Sequence, residues 1–287
     1  MKYPCGSTQF TKRGYYRPRS NNYQPILRHY CKDCKHTFSR QSFGLSETYR
    51  QKKPYLNQEI LKWYSSNATQ RRMAIVMGVN RKTIIRKFLF MAWSAWKEHE
   101  RRIKTGEFKT GFVQFDEMDT FEHTRLKPLS IALAVRVKTG EIIEAQVAEM
   151  NCHGKAAKVS QHKYGWRQDL RSVAREDVLR QVNAVSRKTI TIVSDAKRSY
   201  PNEVKKWVPH ADFQVIASRI GKRKLSKQSN RRNKNDSMFA LNLAAAKIRH
   251  DMSRMARKTW VTTKSATRLQ AHLDLYIAFN NGYRLVA

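Results

Sequence analysis

Acidic residues are scarce in this chain: 22 Asp and Glu stand against 57 Lys and Arg among 287 residues, a net charge of +35. Basic side chains run along the whole length, and such a field fits a polyanionic partner, either nucleic acid or an anionic membrane surface. Long apolar runs are missing as well. None approaches the roughly 20 residues that span a bilayer, and the first residues lack the pattern of a signal peptide. A membrane partner is therefore set aside. Cysteine is sparse, with only Cys5, Cys31, Cys34 and Cys152, too few for a disulfide scaffold at this length, which points to a reducing cytoplasm. The length suits one large domain or two to three smaller ones.

What is present is most informative between Gly111 and Phe121. The apolar and aromatic run from Phe112 to Phe115 follows two glycines, Gly106 and Gly111, and reads as a buried strand opening a new domain. Asp116 is expected where that strand ends. A carboxylate on so rigid a support can point into a cleft and hold a divalent metal ion. Later the pattern recurs: the β-branched run from Thr189 to Val193 ends in Ser194 and Asp195. Two strands each ending in an aspartate bring both carboxylates to one Mg²⁺ or Mn²⁺ site if they are neighbours in one sheet. An aspartate alone more often caps or turns its strand; the pair in a basic chain favours the metal site.

Before residue 105 two modules are expected. Cys31 and Cys34 have the spacing of a zinc knuckle, whose tight turn lets two thiolates share one tetrahedral ion. The upstream Pro4-Cys5-Gly6-Ser7 looks like half of a matching pair, but Lys2 stands where its first cysteine would be. Cys5, Cys31 and Cys34 thus give three thiolates for a possible Zn²⁺, with His29 or His36 as candidates for a fourth ligand. Residues 1–50 form a degenerate zinc-ribbon-like module on this reading, the alternative being a small β module without metal.

Residues 51–104 read as helical. Leu56, Ile60, Leu61 and Tyr64 recur at helical spacing, and Asn67 and Thr69 offer N-cap side chains for the next helix. Residues 70–87 then fit a helix-turn-helix: Ala74 allows close approach, Gly78 supplies the turn, and Ile84 packs the second helix on the first. Arg81, Lys82, Thr83, Arg86 and Lys87 are expected on its exposed side, suited to phosphates and base edges of double-stranded DNA. Residues 97–111 read as a charged linker.

From residue 105 to 287 the pattern is α/β. Segments 130–137 and 142–147 flank a glycine-containing turn at 138–141, giving a three-stranded meander with the Asp116 strand. Cys152 and His153 fall in a loop and are treated as structural. An amphipathic helix over 169–185, the Asp195 strand, a helix over 202–207 and a short strand over 213–216 follow. The polar, basic stretch 218–235 reads as an inserted loop able to clamp a phosphate backbone. Helices over 238–258 and around Leu269 to Ile277 should cover the sheet.

Three strands, a helix, then a strand ending in aspartate is the succession of a ribonuclease-H-like mixed sheet flanked by helices. At this point the chain resembles bacterial insertion-sequence transposases of the DDE class, which join a zinc-ribbon-like module and a helix-turn-helix to such a domain. The likeness rests on Pro4-Cys5-Gly6-Ser7 with Cys31 and Cys34, on Phe115 to Met118 with Thr120 to His123, on Ser194-Asp195, and on the Arg-rich segment from Arg249 to Trp260. It implies a metal-dependent transposase acting in the bacterial cytoplasm at the nucleoid. Such an enzyme cuts and joins DNA strands at element ends as a homo-oligomer.

The resemblance makes Asp116 and Asp195 the first two metal ligands. At the third, acidic position this chain has Asn242, whose amide oxygen can ligate Mg²⁺ but carries no charge. Asp236 is the nearest acidic substitute, and Asp251 should face elsewhere, since nine residues turn a helix through about half a revolution. The alternative is a catalytically decayed copy that only binds DNA.

Overall fold

The computed structural model describes residues 7–18, 23–39, 52–216, 236–256, 261, 263 and 265–283. Cys5 with its neighbours, the basic stretch 218–235 and residues 257–260 with Trp260 lie outside them. The chain divides into two compact units, one up to Met91 and one from Ala92 onward. No helix among the described residues is long and apolar enough to cross a membrane.

The first unit opens with a three-stranded antiparallel sheet in the order β1 (Phe10–Tyr16), β2 (Ile26–Cys31), β3 (Thr37–Ser39). Cys31 ends β2 and is fully buried. The turn after it carries Lys35 at φ 58° and is closed by the Cys31 N–H donating to His36 O at 2.9 Å. Helices α1 (Leu56–Ser65) and α2 (Gln70–Val76) follow, and α3 (Arg81–Thr105) begins here, its residues from Ala92 on counting with the second unit. The Thr69 hydroxyl caps α2 by accepting from Arg72 N at 3.2 Å, satisfying one of the amides that a helix start leaves open. Gly78 sits at φ 59° between α2 and α3, in the left-handed region that a side chain disfavours. Buried Ile60, Met73, Ala74, Ile84 and Phe88 make the core here, with the Tyr64 and Phe88 rings 5.6 Å apart.

The charged run expected as a linker is instead part of α3, which continues to Thr105. Glu98 explains this. It pairs with Arg101 and Arg102, each at 2.8 Å, at helical spacing, and opposite charges so placed favour helix over coil.

The second unit holds a mixed five-stranded sheet in the order β6 (Ile142–Glu149), β5 (Pro128–Arg136), β4 (Thr110–Phe121), β7 (Ser186–Asp195), β8 (Ala211–Ile216). β4, β5 and β6 run antiparallel as a meander, while β7 and β8 add parallel to β4. Between β6 and β7 lie α4 (Ala157–Tyr164), absent from the sequence expectation, and α5 (Arg171–Val185); α6 (Tyr200–Trp207) links β7 to β8, and α7 (Phe239–Asp251) and α8 (Ala266–Asn280) close the unit. α7 ends at Asp251, short of the expected Arg-rich continuation.

Side-chain alternation assigns the two faces of the sheet. Met118, Leu129, Ile131, Leu133 and Val135 pack with Leu241, Ala244 and Ile248 of α7 and Leu269, Leu273 and Tyr276 of α8. α5 packs against β5 and β6 with α6 beside it, burying Ala174, Val178, Leu179, Val182 and Val185. Each large apolar side chain so buried contributes about 1.5–3 kcal/mol.

Candidate functional site

β4 runs on past Asp116 to Phe121, so this aspartate lies inside the strand and not at its end as expected. The physical reason is β5, which pairs with β4 as far as Phe121↔Pro128 and satisfies its backbone beyond Asp116. β7 matches β4 only up to Gln114↔Val193. Two residues further in that register Asp116 faces Asp195, the last residue of β7. The Ser194 hydroxyl fixes the junction by donating to Phe115 O at 2.6 Å. The two aspartates thus meet where one strand of the sheet stops, and both are half-buried.

Gln114, buried and on the same face as Asp116, ties the start of α7 to this place. Its amide donates to Ser237 O at 2.7 Å and its side-chain carbonyl accepts from Leu241 N at 2.9 Å. Asn242 follows Leu241; it is exposed, and its amide donates to Asp236 Oδ2 at 2.9 Å. Asp236 in turn accepts from Met238 N at 3.0 Å. Asp251 accepts from the Tyr276 hydroxyl at 2.8 Å, a partner within the helical layer.

On the opposite face Glu117 is the centre of a polar network that the sequence reading missed. Its carboxylate receives Arg175 Nη1 at 3.1 Å and the Lys197 ammonium, and the Tyr200 hydroxyl lies 3.2 Å from Oε2. Arg175 also donates to both oxygens of Glu203, at 2.6 and 2.7 Å. Lys197 and Tyr200 reach the aspartates too: Lys197 N donates to Asp195 Oδ1 at 3.1 Å, and the Tyr200 hydroxyl is 3.1 Å from Asp116 Oδ1. The available signal was periodicity. Arg175 and Val178 recur at helical spacing on the buried side of α5, and a charge at such a position needs a partner.

The adjacent carboxyls respond in opposite directions. Burial and the charge of Asp195 raise the Asp116 pKa, against the hydrogen bonds from Glu117 N and Tyr200. Burial would raise Glu117 as well, but the cations of Lys197 and Arg175 outweigh it and hold Glu117 below its ordinary value. Burial and the surrounding carboxylates push Tyr200 far up, so its hydroxyl stays a donor.

Asp116 and Asp195 are hard oxygen donors whose mutual repulsion a divalent cation would relieve, so the pair fits Mg²⁺ or Mn²⁺. Among the described residues no group of three or more His, Cys, Asp or Glu could cage a metal ion. This bears equally on Cys31 and Cys34, with Cys5 outside the description. The Cys31 thiol is lowered to about 7, chiefly by hydrogen bonding to Cys34 backbone and also to the Ser7 side chain. His36 Nδ1 donates to Cys34 O at 2.8 Å, and the His29 ring stacks on Phe38 at 5.3 Å. The two described thiols are fewer than the four ligands of a structural zinc site, and Cys5, the third expected, lies outside the described residues.

Of the expected DNA-contacting residues, Arg81, Lys82 and Arg86 are exposed and Thr83 is half-buried. Lys87 is different. It is buried, and its ammonium donates to Asn57 Oδ1 of α1 at 2.8 Å, with burial lowering its pKa to about 8. Lys87 joins Ile84, Phe88 and Met91 on the inner stripe of α3, which removes it from the recognition surface.

No protein-family model and no curated protein matches the chain. Among solved structures it is similar to the crystal structure of the Mos1 strand transfer complex, over 77% of this chain and 70% of that one, at 12% identity and a TM-score of 0.31. A second is the Mos1 transposase paired-end complex with left transposon end, over 56% of this chain and 57% of that one, at 12% identity and a TM-score of 0.21. Likeness of this grade decides nothing about chemistry, which rests on the side chains above.

Proposed function

We propose that the chain is a DDE-type transposase that binds the ends of a DNA element and catalyses metal-dependent strand cleavage and strand transfer. The observation that carries this reading is the meeting of Asp116 and Asp195 across parallel strands β4 and β7 in a chain of net charge +35. The sheet order, with an antiparallel meander extended by two parallel strands, agrees with a ribonuclease-H-like domain.

In this reading Asp116 and Asp195 hold Mg²⁺ or Mn²⁺, with the amide oxygen of Asn242 or the carboxylate of Asp236 as the third donor. A cation held there would supply Lewis-acid stabilisation to an in-line displacement at phosphorus. The protein's own part is to hold two carboxylates at one point before metal arrives. Lys197 N and the Tyr200 hydroxyl fix their orientation, and the neutralised Glu117 keeps a third negative charge from repelling the substrate phosphate. Arg81, Lys82, Thr83 and Arg86 of α3 contact the terminal repeat of double-stranded DNA, and a homo-oligomer brings two ends together.

The test is cleavage and joining of a labelled element-end duplex with Mg²⁺ or Mn²⁺, comparing the chain with Asp195→Asn. Activity lost on substitution is the expected result. Binding without cleavage by both proteins would instead support a second reading, a DNA-binding protein without chemistry. That reading is favoured by one observation, the neutral Asn242 at the third position.

A further inference from the structure

Trp166 is 77% exposed, unusual for the side chain with the largest apolar surface. The chain on either side of it is anchored by side chains. The next residue, Arg167, is buried; its Nη1 donates to Pro128 O at 3.1 Å, and its Nη2 pairs with Glu149 at 3.3 Å and Glu122 at 3.7 Å. Seven residues earlier, in α4, the Ser160 hydroxyl donates to Leu126 O at 2.6 Å. α4 and Arg167 are thereby tied to Leu126 and Pro128, and the indole is presented to solvent between these two anchors.

The segment that carries the ring has one sign of charge. No acidic residue occurs from 150 to 168, whereas Lys155, Lys158 and Lys163 do, and all three are exposed. The flanking acids are engaged, Glu149 with Arg167 and Asp169 with Arg171 at 2.7 Å. Two residues before Trp166 in the chain is a second ring, Tyr164, half-buried, with Lys163 Nζ 5.5 Å and Lys127 Nζ 5.8 Å from its centroid and the His123 ring at 5.9 Å.

From these contacts we propose that the surface formed by α4, Trp166 and the turn at 122–128 is a platform for unpaired DNA bases, with Trp166 as its stacking face. A bare aromatic plane on a segment rich in exposed cations suits a strand whose backbone is anionic and whose bases offer their flat faces. A duplex satisfies the cations but hides those faces, so the exposed indole selects for unpaired bases. Glu122, the partner of Arg167, comes six residues after Asp116 and one past the end of β4, about 20 Å along the chain. A strand held here would therefore flank the reacting phosphodiester. The inference rests on the proposed function in taking the polyanion to be DNA and Asp116 to mark the reacting phosphodiester.

The experiment is fluorescence anisotropy of the full chain with a labelled oligothymidylate and with a blunt duplex of equal length. Trp166→Ala should weaken single-strand binding by about tenfold, the stacking loss expected for one base, and leave duplex binding unchanged. Trp166→Phe should restore most of the single-strand affinity. Unchanged binding of oligothymidylate by Trp166→Ala, an equal loss on both ligands, or no binding by the parent chain would each overturn the platform. Asp195→Asn separates this from the enzymatic reading: it removes cleavage while leaving the effect of Trp166 on single-strand binding intact.

Discussion

Two regions of the molecule each set neighbouring residues of like charge in opposite surroundings. In β4 the pair is Asp116 and Glu117; in α3 it is Arg86 and Lys87. Glu117 is enclosed by Lys197 and Arg175, whereas the nearest charges that shift Asp116 are carboxylates. Arg86 is exposed while Lys87 is buried against Asn57. In both places one step along the chain separates a charge used for architecture from a charge left for a partner. Strand alternation makes the division in β4 and the helical period makes it in α3. A compensated charge is held by the protein, and an uncompensated one is available to a ligand.

The largest effect that would break this comparison concerns Asp116. Asp116→Asn should lower cleavage by on the order of 10³-fold or more, the several kcal/mol that a metal site supplies to phosphoryl transfer. DNA affinity should stay unchanged or rise, because an anion near phosphate is removed. The variant should also unfold at no lower denaturant concentration than the parent. Its folded pKa is raised, so the folded chain binds more protons than the unfolded one above about pH 3.9. Wild-type stability therefore falls as pH rises from there through the raised value, and Asp116→Asn should flatten that fall. A variant that loses binding or folding along with cleavage would make Asp116 structural.

Glu117 should behave in the reverse way. Glu117→Ala leaves Arg175 and Lys197 without their shared anion and should cost about 3 kcal/mol in urea unfolding at neutral pH. That is the low end for breaking a buried pair, because Arg175 keeps Glu203. Its folded pKa is lowered, so the stability it contributes is complete above about pH 4.3, the ordinary glutamate value, and is lost as pH falls through the folded value. Glu117→Gln should therefore remove part of the acid lability of the parent. Cleavage that falls as far as in Asp116→Asn, with stability intact, would recast Glu117 as a metal ligand.

A smaller effect is expected at the hydroxyl that touches both acids. Tyr200→Phe keeps the buried ring, which lies 5.0 Å from Phe115, and removes one donor to two carboxylates. A loss of about 1.5–2 kcal/mol in unfolding fits a hydrogen bond to a charged group. The Asp116 pKa, followed by carboxyl NMR, should rise further as that donor is lost. An unmoved pKa would show that the hydroxyl serves Glu117 alone.

Much of this architecture was legible in the sequence, for physical reasons. The strands containing Phe115 and Val193 announce themselves by β-branched and aromatic runs, and the turn at Gly78 by the residue type that tolerates positive φ. The length of β4 was not legible, because it depends on β5 pairing beyond Asp116, a partner that sequence periodicity does not name. The network around Glu117 was hidden for the same reason: Arg175, Lys197 and Glu203 are brought together only by α5, β7 and α6 packing side by side. α4 was missed because its polar residues carry little apolar period and its anchors, Ser160 and Arg167, bond to backbone carbonyls. Lys87 was misread although its signal was present. It lies three residues after Ile84 and four before Met91, the period of the inner stripe.

That misreading supplies the finest test of the comparison. Arg86→Ala should weaken binding to a terminal repeat and reduce the slope of log affinity against log salt by about one, the loss of one phosphate contact. Lys87→Met should leave that slope alone. Its effect on folding at neutral pH should stay within about 1 kcal/mol, because removing a buried charge offsets the loss of the bond to Asn57. The distinguishing mark is pH. With a folded pKa of about 8 and an unfolded value near 10.4, the unfolded chain binds more protons between these limits, so wild-type stability rises with pH across that window. Lys87→Met abolishes the rise if the ammonium is buried as described. A persisting rise, or a salt slope that falls with Lys87→Met, would put Lys87 back on the surface beside Arg86.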